Sequence, residues 1–217
     1  MPNHLIRDLA ELEKSLLYLA AQVEEAVKLA IDSLLKGRAD LAQSVIEGDK
    51  EIDRKEVEIE EDCLKILALH QPVAQDLRHV AACLKIDNDL ERIGDLAVNI
   101  AERVLSSTPH GFSVPDPFRE MVDCAVRMLR TSIDAFVRAD IKAARSVMRE
   151  DDIVDRDNRL VIDRLLARMR ENPDKIDRAL ELISVSKNIE RIADHATNIA
   201  EDVIYLVEGD IIRHQGG

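Results

Sequence analysis

Carboxylate and amide side chains recur at one spacing in two distant parts of the sequence, and such side chains can bind a cation. The two segments read DLERIGDLAVNIAE at 89–102 and NIERIADHATNIAE at 188–201. From 91–102 to 190–201, nine of the twelve positions are identical. Unrelated amphipathic helices would share the apolar positions that a core face needs, but not the polar ones. The polar residues were therefore duplicated with the fold. They are Glu91, Asp95, Asn99 and Glu102, repeated as Glu190, Asp194, Asn198 and Glu201.

The duplicated polar residues share one helix face. At about 100° of rotation per residue, the four residues of each copy project within an arc of roughly 80°. The apolar residues in and just before this segment, such as Ile86, Leu90 and Ile93, cluster on roughly the opposite side. The pattern therefore predicts an oxygen-rich stripe on the surface of a helical bundle.

A second acidic pair precedes each stripe. The pairs are Asp49/Asp53 and Asp151/Asp155, each spaced i, i+4 and so pointing the same way from a helix. Adjacent antiparallel helices could bring each pair against a stripe, and four carboxylates at one place imply a cation. Carboxylate and amide oxygens suit the hard ions Mg²⁺, Mn²⁺, iron or Ca²⁺. The predicted metal ligands are Asp49, Asp53, Glu91 and Asp95 in the first half, and Asp151, Asp155, Glu190 and Asp194 in the second.

Plainer interpretations remain open for these residues. Charged helix faces are usually only solvated, and it is the duplication that favours a site. His79 and His195 could each add a nitrogen ligand, but a half-buried structural histidine is the simpler account. Arg92 and Arg191 lie about 100° from the stripe, where they could pair with a neighbouring helix or a partner protein, or form exposed ion pairs that contribute little.

The composition limits the class of protein. The chain is 46% hydrophobic and 34% charged, with no Trp, few other aromatics and few Gly or Pro, which favours an all-α fold. A net charge of −13 argues against binding to a phosphate backbone. Three cysteines without metal-type spacing indicate reduced thiols. With no signal peptide or membrane span in the pattern, we expect a cytoplasmic protein.

Helical periodicity and its interruptions predict the architecture. A first helix covers about 5–35, a second runs from a predicted N-cap at Asp40 to His70, and a third follows Pro72 to about residue 105. The proline-rich segment 106–117 is the predicted linker. The order then repeats, with an N-cap at Asp140 and a break at Asn172-Pro173. We predict a tandem repeat of two antiparallel three-helix bundles, with domains at 1–108 and 112–217.

An enzymatic function is a second hypothesis. Ferritin-like di-iron proteins are helical bundles with carboxylate sites, but they use Glu-x-x-His motifs inside the core. None of the six histidines here has a Glu three residues before it. No phosphate loop or nucleophile motif is present either. A non-catalytic regulator is therefore favoured, and a carboxylate-bridged metalloprotein with redox or hydrolytic activity is the alternative.

Three longer segments resemble signature segments of the PhoU family of bacterial regulators of phosphate uptake. They are QPVAQDLR at 71–78, DLERIGDLAVNIAE at 89–102, and NIERIADHATNIAEDVIYLVEGDIIRH at 188–214. The resemblance implies two three-helix bundles whose E(D)xxxD motifs hold metal. These motifs match the eight carboxylates named above. It further implies divalent or iron-type metal ions, which could be iron, manganese, magnesium or zinc.

The resemblance also implies a role and partners. Family members are similar to adaptors that damp phosphate import and repress the phosphate-starvation response. They act with the transporter's ATPase subunit and a phosphate-sensing histidine kinase, and they are commonly homodimers. Without a basic amphipathic face, this chain is expected to reach a membrane only through protein partners. Asp87 and Asp89 become Ser186 and Asn188 in the second half, so we expect weaker metal binding there.

Overall fold

The computed structural model describes residues 2–106 and 114–209, and within them the chain is all-α, as predicted. No strand occurs among these residues. A single 3₁₀ turn, Pro173–Lys175, precedes the last helix. The helices are α1 (Pro2–Lys36), α2 (Ala39–His70), α3 (Ala74–Ser106), α4 (Asp116–Arg138), α5 (Ile141–Glu171) and α6 (Ile176–Glu208).

The first helix of each bundle ends in the same kind of turn. After α1, Gly37 adopts a left-handed conformation with φ of 64°, and the amide of Arg38 donates to the carbonyl of Ser33. After α4, the amide of Asp140 donates to the carbonyl of Ala135. Ala139, with φ of 49°, holds the left-handed position there. The residue after each left-handed position therefore becomes the N-cap of the next helix.

This turn explains why one predicted N-cap is correct and the other is wrong. Asp140 caps α5, since its carboxylate accepts from the amides of Lys142 and Ala143 at 2.9 and 3.1 Å. The N-cap of α2 is Arg38, not Asp40, because the turn at Gly37 starts the helix earlier. Asp40 lies inside the first turn, where it accepts a hydrogen bond from the Arg38 guanidinium.

The six helices form two three-helix bundles, as predicted. Helices α1, α2 and α3 contact one another, as do α4, α5 and α6. The bundles meet through α3 against α6 and through α1 against α4. Within the described residues, α2 and α5 pack only inside their own bundles, and one continuous apolar core runs through both. The predicted boundaries at 108 and 112, and most of the predicted linker, lie outside the described residues.

Two further expectations concern the cysteines and the membrane. Cys63, Cys83 and Cys124 are free thiols buried in the core, as predicted. Burial raises the pKa of Cys63 to about 12 and that of Cys124 to about 11, so neither is a reactive thiolate at neutral pH. No helix within 2–106 or 114–209 is long and apolar enough to cross a membrane.

Candidate metal centre

The first predicted set of carboxylates lies between α2 and α3. Asp49 and Asp53 on α2 act electrostatically on Glu91 and Asp95 of α3. Gly94 allows the close approach. A side-chain carbon at this glycine would lie 3.3 Å from Cγ2 of Ile52 and 3.8 Å from Oδ1 of Asp49. The two acidic pairs, separated by about forty residues in sequence, therefore face the same groove.

The first cluster resists ionisation. Burial, and then repulsion by Asp53 and Asp95, raises the pKa of Asp49 to about 6. Burial and the neighbouring carboxylates also raise the pKa of Glu91. One oxygen of Glu91, Oε2, is buried without a hydrogen-bond partner. Such a group is stabilised by a nearby positive charge, because the cation offsets both the repulsion and the lost hydration.

Arg92 supplies part of that positive charge from the same helix. Its Nε lies 3.3 Å from that same Oε2 of Glu91, in an ion pair without a hydrogen bond, and its Nη1 lies 3.2 Å from Oδ2 of Asp95. Among the described residues, Arg92 thus forms exposed ion pairs on its own helix, which is the plainer of the two alternatives. Because the Arg92 side chain is about half exposed, these ion pairs are weak and can be exchanged for a bound cation.

The second predicted set lies between α5 and α6 in the same way. Burial, followed by repulsion from Asp194, Asp155, Asp152 and Glu190 in that order, raises the pKa of Asp151 to about 6. Burial and Asp155 raise the pKa of Asp194, while His195 and Arg191 lower it. The duplication seen in sequence is thus also a duplication in space.

The donor set of both clusters fits a hard cation. Every group is a carboxylate, and several are half-buried. Burial, and then repulsion by neighbouring carboxylates, raises the pKa values of Asp49, Glu91, Asp151 and Asp194. As the side chains stand in the described residues, no three His, Cys, Asp or Glu groups converge closely enough to hold a metal ion together. Coordination would therefore require the flexible carboxylates to turn toward a common point and Arg92 to release its partners.

Asp89 does not belong to the first cluster, contrary to the expectation from sequence. It is buried at the interface between the bundles, where Oδ1 lies 2.8 Å from Nδ1 of His195 and accepts a 3.2 Å hydrogen bond from Asn198. Asn198 therefore turns away from the predicted stripe. The polar residues at this interface position α3 against α6.

The two histidines considered as metal ligands have structural partners. His195 binds Asp89, in keeping with the structural alternative. The His79 ring packs 5.8 Å from the ring of Phe136, and burial lowers the pKa of His79. Lys85 joins the same bundle interface by pairing with the buried Asp202 at 2.8 Å.

Sequence reasoning missed two carboxylates of the first groove, Glu56 and Glu60, whereas it had placed Asp87 near the first stripe. Glu56 and Glu60 continue the acidic face of α2 beyond Asp53, and Asp87 faces them from α3. The spacing 49, 53, 56, 60 was the signal, because steps of three and four keep residues on one helix face. Burial and then Glu56, Glu60 and Glu91 raise the pKa of Asp87 to about 8.

A groove of about 360 Å³ lies on another face of the first bundle, between α1 and α2. Its lining is mostly apolar and includes Tyr18, Leu29 and Gly48. None of the eight predicted metal ligands lines this groove. This groove is therefore separate from the two carboxylate clusters.

Together, the fold and the two clusters define a helical-bundle protein built from an internal repeat, with a carboxylate cluster in each copy. The chain belongs to the PhoU family: the PhoU domain model matches it twice, at residues 16–104 and 118–203. Each match covers one three-helix bundle and includes that bundle's four predicted ligands.

Relatives and solved structures agree over nearly the whole chain. It is 40% identical to the phosphate-specific transport system accessory protein PhoU homolog of Pseudomonas putida, over 96% of this chain and 82% of the relative. The crystal structure of PhoU from Pseudomonas aeruginosa matches with a TM-score of 0.87 and 38% identity, covering 94% of this chain and 99% of that one. The Streptococcus pneumoniae regulatory protein PhoU matches with a TM-score of 0.89 and 28% identity, covering 95% and 98%.

Proposed function

We propose that this protein is a non-catalytic, metal-binding adaptor that negatively regulates phosphate uptake and the phosphate-starvation response. The observation that carries the proposal is the duplicated carboxylate cluster, present in both bundles of a chain whose relatives are named accessory proteins of phosphate-specific transport. In each cluster, burial and mutual repulsion destabilise the ionised carboxylates, and a bound cation would offset both effects.

The metal has a structural part in this proposal. A cation shared by α2 and α3, or by α5 and α6, would join two helices that otherwise repel along this groove. The ion would therefore stiffen the outer face formed by α2 and α5, the two helices that take no part in the interface between the bundles. We assign this outer face to contacts with the transporter's ATPase subunit and the phosphate-sensing histidine kinase. The working unit is proposed to be a cytoplasmic homodimer that meets the membrane only through proteins.

The proposal predicts that regulation depends on the carboxylates. In a strain lacking the protein and grown with ample phosphate, uptake of labelled phosphate and expression of starvation genes should both be high. The wild-type chain should lower both. A chain carrying Glu91→Gln, Asp95→Asn, Glu190→Gln and Asp194→Asn should fail to do so, although it removes repulsion and should fold.

A matched control replaces exposed acids outside the clusters, Glu61→Gln and Glu120→Gln, and should regulate like wild type. If the four-carboxylate variant restores full repression at equal protein levels, metal binding is not needed for regulation. If the purified wild-type protein turns over phosphate esters or oxidants and Glu91→Gln abolishes that turnover, the adaptor function is wrong.

A further inference from the structure

The groove between α1 and α2, hereafter the α1/α2 groove, presents a carboxylate in a mostly apolar lining. Among the described residues that line it, Glu25 alone is charged, and aliphatic side chains such as Ala26 and Leu29 form much of the rest. The carboxylate of Glu25 lies 3.5 Å from Lys28 in an exposed ion pair, which is weak. In the groove wall, Oε1 of Gln22 is buried without a hydrogen-bond partner. The groove therefore offers hydrogen-bond acceptors and negative charge to a ligand.

The second bundle fills the corresponding place with an ion pair of its own. Helices α1 and α2 correspond to α4 and α5 at an offset of 102 residues, which separates both the i, i+4 acidic pairs and the left-handed turn residues of the two bundles. At this offset, Glu25 corresponds to Arg127, and Gly48 corresponds to Glu150. Nε of Arg127 donates to Oε2 of Glu150 at 2.9 Å, and Nη1 donates to the carbonyl oxygen of Asp123 at 3.5 Å. An arginine–carboxylate pair thus bridges α4 and α5 where the first bundle has an open groove.

Gly48 keeps this space open at a cost to its own helix. A glycine in the middle of a helix is less favourable than alanine, because it loses more backbone freedom on folding. A side-chain carbon at Gly48 would have nothing within 4 Å, so packing within the described residues does not require the glycine. The second bundle shows that the same fold accepts a long side chain there, that of Glu150. The space between Gly48 and Glu25 is therefore room for a group that the described chain does not supply.

A guanidinium on an aliphatic stem fits the remaining groups of the groove. Tyr18, which accepts a 3.3 Å hydrogen bond from Gln22, lines the groove and is 53% exposed. Aromatic rings stack on guanidinium groups, which also pair with carboxylates through two parallel hydrogen bonds. Apolar lining residues can cover the stem of such a side chain. Because the chain has a net charge of −13, this acidic groove favours a basic partner over a second copy of the same chain.

We propose that the α1/α2 groove binds an arginine side chain of a partner protein, with the guanidinium on Glu25 and the stem against the apolar lining. This inference rests on the proposed adaptor function, because it names one contact that the adaptor makes with its partners. Gly48 and Ile52 line the groove, and each directly precedes a predicted metal ligand on α2. The docked arginine would therefore contact the same helix as the first carboxylate cluster.

The first experiment gives the first bundle the ion pair of the second. The Glu25→Arg/Gly48→Glu variant should fill the groove from within and leave all eight predicted metal ligands in place. In an NMR titration of wild type, butylguanidinium should shift the resonances of Tyr18 and Gln22, whereas the neutral isostere butylurea should not. The double variant should show no shift with either compound. If butylguanidinium leaves the groove resonances of wild type unchanged, the inference is overturned.

The second experiment measures binding to the purified ATPase subunit of the phosphate transporter and to the purified phosphate-sensing histidine kinase of the same bacterium. Wild type should bind at least one of them, and the double variant should bind it about tenfold or more weakly. Glu25→Gln, which removes only the charge, should also weaken binding. Glu11→Arg, an exposed charge reversal on α1 outside the groove lining, should bind like wild type.

The outcomes separate this inference from the adaptor function. Equal binding of wild type and the double variant would overturn the inference, leave the adaptor function standing, and assign any butylguanidinium binding to a small cation site. If filling the groove converts a dimer to a monomer, the occupant is a second copy and the inference is again wrong. If wild type binds neither protein, the adaptor function fails, and the inference fails with it.

Discussion

Metal-free protein should become less stable as the pH rises from about 5.5 to about 8. Asp87, Asp49 and Asp151 have pKa values raised to about 8, about 6 and about 6, against an ordinary value of 3.8. Each carboxyl group therefore binds its proton more tightly in the folded protein than in the unfolded chain. Their stabilising contribution is therefore present at low pH and is lost as the pH rises through the folded-state pKa. Most small proteins do not lose stability over this range.

The expected size follows mainly from Asp87, the most buried of the three. Loss of the Asp87 proton should lower the free energy of unfolding by about 3 kcal/mol across this pH interval, at 1.36 kcal/mol per pH unit below the folded-state pKa. For a chain of this length, that corresponds to a fall in Tm of roughly 10 °C. The two half-exposed aspartates add smaller changes of the same sign.

A divalent cation should reverse this loss. Metal that binds only the folded protein adds roughly 2.7 kcal/mol when its free concentration is a hundredfold above the dissociation constant. The effect should be largest near pH 8 and small near pH 5.5, because protons and metal compete for the same oxygens. Calorimetric melting with EDTA or Mn²⁺ at both pH values tests this. A metal-free Tm that rises with pH across this range would contradict the electrostatic account.

Breaking the contact between Asp89 and His195 should have the next largest effect. In the other copy of the repeat, Leu96 stands at the position of His195, and Asn188 stands at the position of Asp89. Replacing His195 with Leu and Asp89 with Asn therefore uses residues that already occur at these positions in this chain. His195→Leu leaves the buried Asp89 with only Asn198 as a side-chain hydrogen-bond partner and should cost about 3 kcal/mol. Asp89→Asn keeps the shape and should cost about 1 kcal/mol.

The double variant distinguishes a true contact from two separate losses. Asp89→Asn combined with His195→Leu leaves no buried charge, so its stability should lie within about 1 kcal/mol of wild type, far from the sum of the single losses. Urea unfolding of all four proteins measures this coupling, with the exposed Asp76→Asn as control. If the single losses simply add, these residues do not position α3 against α6.

The fold could be predicted closely because local signals coincided with helix ends. Gly37, Pro72 and Pro173 mark turns that a helix cannot continue through, and the structure ends or starts helices beside each of them. The N-cap of α2 was missed because the left-handed turn at Gly37, not the best capping side chain, sets where that helix begins. At Asp140, the left-handed turn and the capping side chain both place the start of the helix at the same residue.

The candidate site was predictable only in part. Helical spacing shows which carboxylates share a face, and the duplication selects eight of them. Spacing does not show which neighbouring helix a face meets. Asp89, two residues from Asp87 and from Glu91, therefore joins the bundle interface and not the cluster. The pairing of Arg92 with its own helix also depends on side-chain placement that the sequence does not encode directly.

The central claim is that the duplicated carboxylates are two metal sites. Its most direct test is an equilibrium titration of chelator-stripped protein with Mn²⁺, with bound metal measured by elemental analysis. Wild type should bind in a tighter and a weaker phase. Glu91→Gln/Asp95→Asn should abolish the tighter phase, because Asp87 and Glu56 add carboxyl groups to the first groove where the second has Ser186 and Asn158. Glu190→Gln/Asp194→Asn should abolish the weaker one. If the wild-type protein retains no Mn²⁺, Mg²⁺ or Fe²⁺ after reconstitution, the carboxylates are solvated helix faces and the account is wrong.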